Sequence, residues 1–225
     1  DAELYAHLLG KYRGYDGEKL WREVKAAQHQ KGYQQAYRSM EAAVKDTEGE
    51  MLFYQSKVCE GVFHRISSGT TRDGLEVFGK MEKGYLLSVD SNWDMYGDGY
   101  LSGHYFSEGA LREQLEKAYP GLVFTEEPVE NQINMYKRDK VGHILFLTVG
   151  NKTISGEEFR QLLELPSSNF TMQAADGKIR FLCKGQGHGL GLSQYGGNVL
   201  AKEGKSYKEI LRYYFPECGV QKKDS

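Results

Sequence analysis

The spacing of apolar residues predicts helices at the beginning of the chain and at two later places. Residues 1–47 carry apolar side chains at helical spacing, interrupted by glycines, and Gly49 is expected to end the last of these short helices. Two further amphipathic helices, each preceded by a serine suited to N-capping, are predicted at residues 108–119 (after Ser107) and 156–165 (after Ser155). The chain should therefore begin with a helical segment and carry further helices within its main body.

Runs of strand length fill much of the rest of the chain. They occur at residues 51–54, 59–66, 86–89, 132–138, 143–149, 170–174 and 178–183. Asp176-Gly177 separates the last two runs and is the strongest β-hairpin signal in the sequence. Helices and strands come in blocks and do not alternate strictly. We therefore expect an α+β fold, with a mixed, antiparallel-rich sheet, peripheral helices and a helical N-terminal segment.

The order of these elements suggests three parts. They are a helical segment (1–47), a main domain (48–220) within which we consider a small inserted subdomain near residues 105–165, and a short tail (221–225). The first residue is Asp1 and not Met, so we expect a longer protein whose signal or membrane anchor lies upstream.

Composition excludes several classes of function. The 225 residues are 40% hydrophobic with a formal net charge of -2, which is ordinary for a globular protein. Nucleic acid is disfavoured as a partner because phosphate binding normally needs a clear basic excess. The longest apolar run, 144–149, has strand length and falls far short of the ~20 residues of a membrane helix.

Three cysteines, Cys59, Cys183 and Cys218, lie far apart and form no Cys-x-x-Cys pair. The odd number excludes a fully paired disulfide framework, and the spacing argues against a four-cysteine zinc site. Small apolar fillers are the favoured interpretation of all three. One disulfide with a spare thiol is the alternative.

The most informative stretch surrounds His188. Glycine occupies every second position from 185 to 191, which removes side chains from one face of the chain and lets backbone or ligand approach closely. Three interpretations remain open on these residues. A phosphate cradle lacks the Walker lysine; a packing role would make His188 a hydrogen-bonded core residue; a ligand cleft would be lined by His188, Ser193, Gln194 and Tyr195.

The same stretch carries a family resemblance. Gly185-Gln-Gly-His-Gly-Leu-Gly-Leu-Ser-Gln-Tyr-Gly196, followed by Tyr207-Lys-Glu-Ile-Leu-Arg-Tyr-Tyr214, resembles the C-terminal signature of the stage II sporulation protein D family, which is related to the amidase enhancers. Upstream, Ala43-Val, Leu52-x-Tyr54 and Phe63-His64-x-x-Ser67-Ser-Gly-x-Thr71 follow the family's order, so that the likeness covers roughly residues 33–220.

The resemblance implies a lytic transglycosylase that cleaves denuded peptidoglycan glycan strands during engulfment in sporulation. The family's catalytic acid is a Glu in an Ala-x-Glu-Met-Pro stretch, and this stretch does not occur in the chain, so the catalytic residue stays unknown. The alternative is a non-catalytic peptidoglycan-binding or amidase-enhancer module. The resemblance also implies an extracytoplasmic, anchored protein, between mother cell and forespore, whose partners are a peptidoglycan amidase and an integral membrane protein of engulfment.

The resemblance also adds candidate site residues. His64 falls at the family's Phe-His position, and Ser68, Gly187 and Gly189 join the substrate-binding candidates, with ordinary turn chemistry as the alternative for Ser68. Zinc has been associated with some family members near this histidine. We expect no metal ligand and no cofactor here, because Cys59 and His64 are five residues apart and would face opposite sides of a strand.

Overall fold

A computed structural model describes residues 31–222 of the protein. The described helices are α1 (Lys31–Asp46), α2 (Gly74–Phe78), α3 (Glu108–Ala118), α4 (Gly156–Leu162), α5 (Gln194–Lys202) and α6 (Tyr207–Tyr214). Three 3₁₀ turns occur at Met81–Lys83, Asn92–Tyr96 and Val129–Gln132. None of the helices within residues 31–222 is long and apolar enough to cross a membrane. The helices predicted before residue 31 lie outside the described residues.

Eleven strands are described in the same range. They are β1 (Glu50–Tyr54), β2 (Lys57–Val58), β3 (Phe63–His64), β4 (Leu101–Phe106), β5 (Ile133–Arg138), β6 (Ile144–Val149), β7 (Lys152–Ser155), β8 (Phe170–Ala175), β9 (Lys178–Lys184), β10 (Leu192–Ser193) and β11 (Gly219–Lys222). Two three-stranded sheets, ordered β4-β9-β8 and β5-β6-β7, are antiparallel throughout. The short pair β3 and β10 is parallel. The expected α+β class with antiparallel-rich sheets and peripheral helices is confirmed.

Residues 52–221 form one compact unit, which carries all the features discussed below, and α1 is described on its own. One core of this unit lies between the two antiparallel sheets and the helices α3 and α4, and it includes Phe159, Phe170 and Phe181. A second core gathers α5, α6 and the preceding loops around Leu86 and Tyr214. The predicted division of the chain at residues 47 and 220 stays a prediction.

Capping and turn chemistry explain why several elements begin where the sequence predicts. The Ser107 and Ser155 hydroxyls accept hydrogen bonds from the third backbone N–H of α3 and α4, as N-caps do. Asp176 and Gly177 both have positive φ, at 53° and 71°, which is the type I′ geometry that matches the twist of a two-residue hairpin.

Two predicted strands differ from the structure. Residues 86–89 form no strand, because the Thr71 hydroxyl and backbone take up the hydrogen bonds of Leu87 and Val89 that a neighbouring strand would need. The run 59–66 contributes only β3, since its partner β10 is two residues long and passes directly into α5. The structure adds β4, whose inward positions include Ser102 and His104, so the sequence shows no alternating apolar face there.

Candidate functional site

The glycine-rich stretch from Gly185 to Gly191 joins β9 to β10, and each of its alternating glycines has a positive φ. Two of them also pass very close to other side chains. A Cβ added at Gly187 would lie 2.9 Å from the His64 Cβ, and one at Gly189 would lie 3.0 Å from Arg72 Cδ and from His143 Nε2. Only glycine combines this backbone conformation with so close an approach. The segment is therefore fixed by packing on one side.

His64 is the buried histidine of the site. It ends β3, is 3% exposed, and its Nδ1 lies 3.0 Å from the Leu190 carbonyl oxygen. A carbonyl only accepts, so Nδ1 carries the proton, and Nε2 is left as an acceptor with no hydrogen-bond partner among the described residues. Burial lowers the pKa of His64 to about 4, so the ring is neutral at physiological pH.

His188 is the partly exposed histidine of the pair. Its ring meets the His64 ring edge-on with 5.9 Å between centroids, and its Nδ1 accepts the Leu190 N–H at 3.1 Å. The proton of the neutral ring therefore lies on Nε2. Burial lowers the pKa of His188 below its ordinary value, and the Glu157 carboxylate and the Phe63 carbonyl oppose part of this shift.

A buried polar network supports the segment from behind. The Arg72 Nε donates to Asp139 Oδ2 at 2.5 Å, and the Arg72 Nη1 donates to the His188 carbonyl oxygen at 3.1 Å. Asp139 Oδ1 accepts the His143 backbone N–H at 2.8 Å, and His143 Nδ1 lies 3.0 Å from the Ser168 hydroxyl. Burial, together with the Arg72 cation, lowers the pKa of His143 well below its ordinary value. The network fixes the backbone that displays the His188 ring.

A groove of about 400 Å³ opens beside this ring. Its walls combine apolar and charged side chains, namely Glu60, Val62, Arg72, Glu76, Val77, Phe78, Lys83, Leu86, Lys137, Ile144, Leu145, Phe146, Ser155, Glu157, His188 and Leu190. Glu157 Oε1 accepts hydrogen bonds from Arg160 Nε at 2.9 Å and Nη2 at 2.5 Å, and its Oε2 is buried with no partner among the described residues. Carboxylates, cations and aromatic rings thus face one cavity, as in sites for polar ligands with apolar faces.

The structure brings four of the eight predicted site residues together, and the other four lie outside that group. His64, His188, Gly187 and Gly189 form one packed unit. Ser193 pairs with His64 in the parallel β3–β10 ladder, but its buried hydroxyl accepts the Gly196 N–H and so caps α5.

The remaining predicted residues lie at the beginning of α5 and in the loop Ser67-Ser-Gly69. Gln194 is exposed, and the Tyr195 backbone N–H donates to the Arg65 carbonyl at 3.0 Å. The Ser68 hydroxyl is buried without a hydrogen-bond partner in the described part of the chain, while its carbonyl accepts from the Tyr100 hydroxyl at 3.2 Å. Their roles as substrate-binding residues stay predictions.

The sequence disfavours metal binding, and this too stays a prediction. Among residues 31–222, no three His, Cys, Asp or Glu side chains converge in a way that could hold a metal ion. Cys59, which the sequence offers together with His64 as a pair of zinc ligands, lies beside Cys218.

Sequence reasoning missed Arg72, Asp139, His143 and Glu157. Arg72 directly follows Thr71 in the loop that begins at Ser67, and Asp139 begins the tight turn that leads into His143, so each has an ordinary surface-loop explanation. Arg72 and Asp139 are 67 positions apart in sequence, and no local sequence pattern predicts that they pair.

Comparison with known proteins identifies the family. No family model matches the chain. Among curated proteins, the chain is 31% identical over 193 residues to stage II sporulation protein D of Bacillus amyloliquefaciens, covering 86% of this chain and 54% of that protein. The corresponding values for stage II sporulation protein D of Bacillus subtilis are 28%, 86% and 54%. The chain belongs to the stage II sporulation protein D family.

The family resemblance stated from the residues around His188 is thereby confirmed. This chain is also 32% identical over 88 residues to the amidase enhancer of Bacillus subtilis, and the match covers 39% of this chain and 12% of that protein. The chain spans about half the length of the curated sporulation relatives that it matches.

Proposed function

We propose that this chain binds peptidoglycan glycan strands in the groove beside His188 and belongs to a lytic transglycosylase that acts on denuded strands during engulfment. The observation that carries the proposal is the position of His188, the histidine of the family's Gly-His-Gly segment, in the wall of a groove of about 400 Å³. Sugar rings present apolar faces and hydroxyl edges, and the groove offers the Phe78 and Phe146 rings together with carboxylates and cations. Membership in a sporulation family agrees with this role.

The proposed reaction needs one carboxylic acid that is protonated near neutral pH. It protonates the glycosidic oxygen, and the resulting carboxylate then accepts the proton of the muramic C6 hydroxyl as the 1,6-anhydro ring closes. Of the carboxylates in the groove, Glu157 is held by Arg160 through two N–H donors, which occupy one of its oxygens. We therefore assign it to ligand binding, and the catalytic acid of the whole protein stays unassigned.

Binding can be measured directly with purified denuded glycan strands. We expect His188→Ala to weaken binding by at least about tenfold, which corresponds to about 1.4 kcal/mol. His104→Ala is the matched control, because His104 lies on β4 and does not line the groove. A His188→Ala, Gln194→Ala double variant that folds normally and keeps full affinity would show that the groove is not the binding site.

A second candidate function is a non-catalytic module that enhances an amidase. The similarity to the amidase enhancer over 88 residues favours it. The full natural protein, incubated with denuded strands, should release 1,6-anhydro products if it is a transglycosylase. Intact binding without such products, together with stimulation of a peptidoglycan amidase, would favour the module instead.

Localisation and partners follow from the same proposal. We propose an extracytoplasmic protein, anchored in the membrane by a segment upstream of Asp1, that works with a peptidoglycan amidase and an integral membrane protein of engulfment. The first part is tested by adding protease to sporulating cells whose cell wall has been removed, and by measuring whether the full natural protein is digested. Co-purification from crosslinked sporulating cells tests the second.

A further inference from the structure

Two cysteines that are 159 positions apart in sequence meet in the structure. The Sγ atoms of Cys59 and Cys218 lie 3.6 Å apart, and both side chains are partly buried as free thiols. The third cysteine, Cys183, is completely buried in the other core and lies next to neither of them. The chain thus contains one thiol pair and one isolated thiol.

Backbone hydrogen bonds hold both members of the pair in position. The Cys59 N–H donates to the Leu52 carbonyl at 2.9 Å, directly after β2, and the Cys218 N–H donates to the Phe215 carbonyl at 3.0 Å, directly before β11. Both side chains pack against the second hydrophobic core. A disulfide has an S–S distance of about 2.05 Å, so closing the pair requires the two sulfur atoms to approach by roughly 1.5 Å. Side-chain rotation of two cysteines supplies a movement of this size.

We propose that Cys59 and Cys218 form an intramolecular disulfide that fastens the segment after α6 to the β1–β2 hairpin. The oxidant is a small-molecule or protein disulfide. One cysteine thiolate attacks it to give a mixed disulfide and one released thiol, and the second cysteine then displaces the other thiol. The two cysteines lose two protons and two electrons in total, and the oxidant is reduced to two thiols.

The surroundings of the pair determine how readily its sulfur atoms react. Burial raises the pKa of both thiols, that of Cys218 to about 12. The Cys218 side chain and the Lys83 cation each lower the pKa of Cys59 and oppose part of its shift. Both thiols are therefore mostly protonated near neutral pH, so the bond forms slowly there and faster in alkaline solution.

The bond should stabilise the fold appreciably. It would close a very long loop, and disulfides across long loops remove the most conformational freedom from the unfolded chain. We expect the melting temperature of the oxidised protein to exceed that of the reduced protein by roughly 5–15 °C. This inference does not depend on the proposed function, because it concerns sulfur atoms and not the groove.

Thiol counting and mass spectrometry test the proposal on the full chain. The reduced, folded protein is incubated at mildly alkaline pH with equal concentrations of reduced and oxidised glutathione, and is then denatured and alkylated. We expect three free thiols before oxidation and one afterwards, a mass lower by two hydrogen atoms, and a linked peptide pair containing Cys59 and Cys218. Cys59→Ser and Cys218→Ser should each keep both remaining thiols, whereas Cys183→Ser should lose its two.

Three results would overturn the proposal. The first is a folded protein that keeps all three thiols under conditions in which the denatured chain is oxidised. The second is a linkage that involves Cys183 or joins two chains. The third is an oxidised form whose melting temperature does not exceed that of the reduced form, since this would mean that the native geometry does not accommodate the bond.

Discussion

Replacing Asp139 by Asn tests whether the buried ion pair with Arg72 holds the Gly-His-Gly segment in place. Asn keeps the shape of the side chain and an oxygen that can accept the His143 N–H. Its amide group, however, presents N–H donors to the Arg72 Nε, which is itself a donor. The Arg72 side chain is 4% exposed and that of Asp139 is fully buried, so water cannot compensate for the lost acceptor.

The expected loss is large because a cation is left buried without its partner. Breaking one side of a buried pair costs about 3–5 kcal/mol of unfolding free energy. For a chain of 225 residues this corresponds to a fall in melting temperature of roughly 6–20 °C. Urea denaturation, monitored by tryptophan fluorescence, measures the free energy of unfolding. Glu60→Gln is the matched control, because the pair of Glu60 with Lys83 is exposed and should be worth less than about 1 kcal/mol.

A double variant separates charge from packing. Arg72→Met with Asp139→Leu removes both charges and keeps apolar volume, so it should recover part of the stability that Asp139→Asn loses. The reasoning would be refuted if Asp139→Asn lowered the free energy of unfolding by no more than Glu60→Gln does. It would also be refuted if the double variant were no more stable than Asp139→Asn.

Two further predictions concern the histidines and the glycines. The folded-state pKa of His64 is about 4 and that of His143 is also lowered, so the unfolded chain binds protons first as pH falls below about 6.5. Stability should therefore decrease between about pH 6.5 and 4, by up to about 3 kcal/mol from His64 alone, and His64→Gln should flatten the slope in pH-dependent urea denaturation. Gly189→Ala and Gly177→Ala impose a similar left-handed strain, at φ 76° and 71°, but only position 189 is crowded. Thermal melts should show the greater loss for Gly189→Ala, and equal losses would contradict the packing argument.

Local chemistry made much of the fold predictable. Ser107 and Ser155 mark helix starts because a hydroxyl cap acts on the next turn only, and Asp176-Gly177 marks a hairpin because its two positive φ angles are a local requirement. The strand prediction for residues 86–89 is wrong because the Thr71 side chain, which is distant in sequence, takes up backbone hydrogen bonds that a strand would need. Periodicity describes which residues are apolar and carries no information about which distant donor will satisfy a backbone group.

The candidate site likewise contains some residues that local sequence patterns predict and others that they do not. The glycine alternation located the segment around His188, because close approach needs a particular residue type at a particular position. The supporting groups Arg72, Asp139 and His143 could not be found in this way, because their roles arise from contacts across the fold. A charged residue in a loop is usually solvated, and only burial distinguishes one that is paired.

The packing interpretation expects a hydrogen-bonded core histidine and the ligand-cleft interpretation a histidine ring at a cleft, both at His188, and the structure has one histidine of each kind beside the glycine-rich stretch. His64 is the hydrogen-bonded core residue, and His188 is the one whose ring reaches the groove. Both depend on the same passage of backbone without Cβ atoms, since a side chain at Gly189 would displace Arg72, which holds the His188 carbonyl. Packing and recognition can still be separated by experiment. Gly189→Ala should lower both stability and glycan affinity, whereas His188→Ala should lower affinity while the protein stays folded.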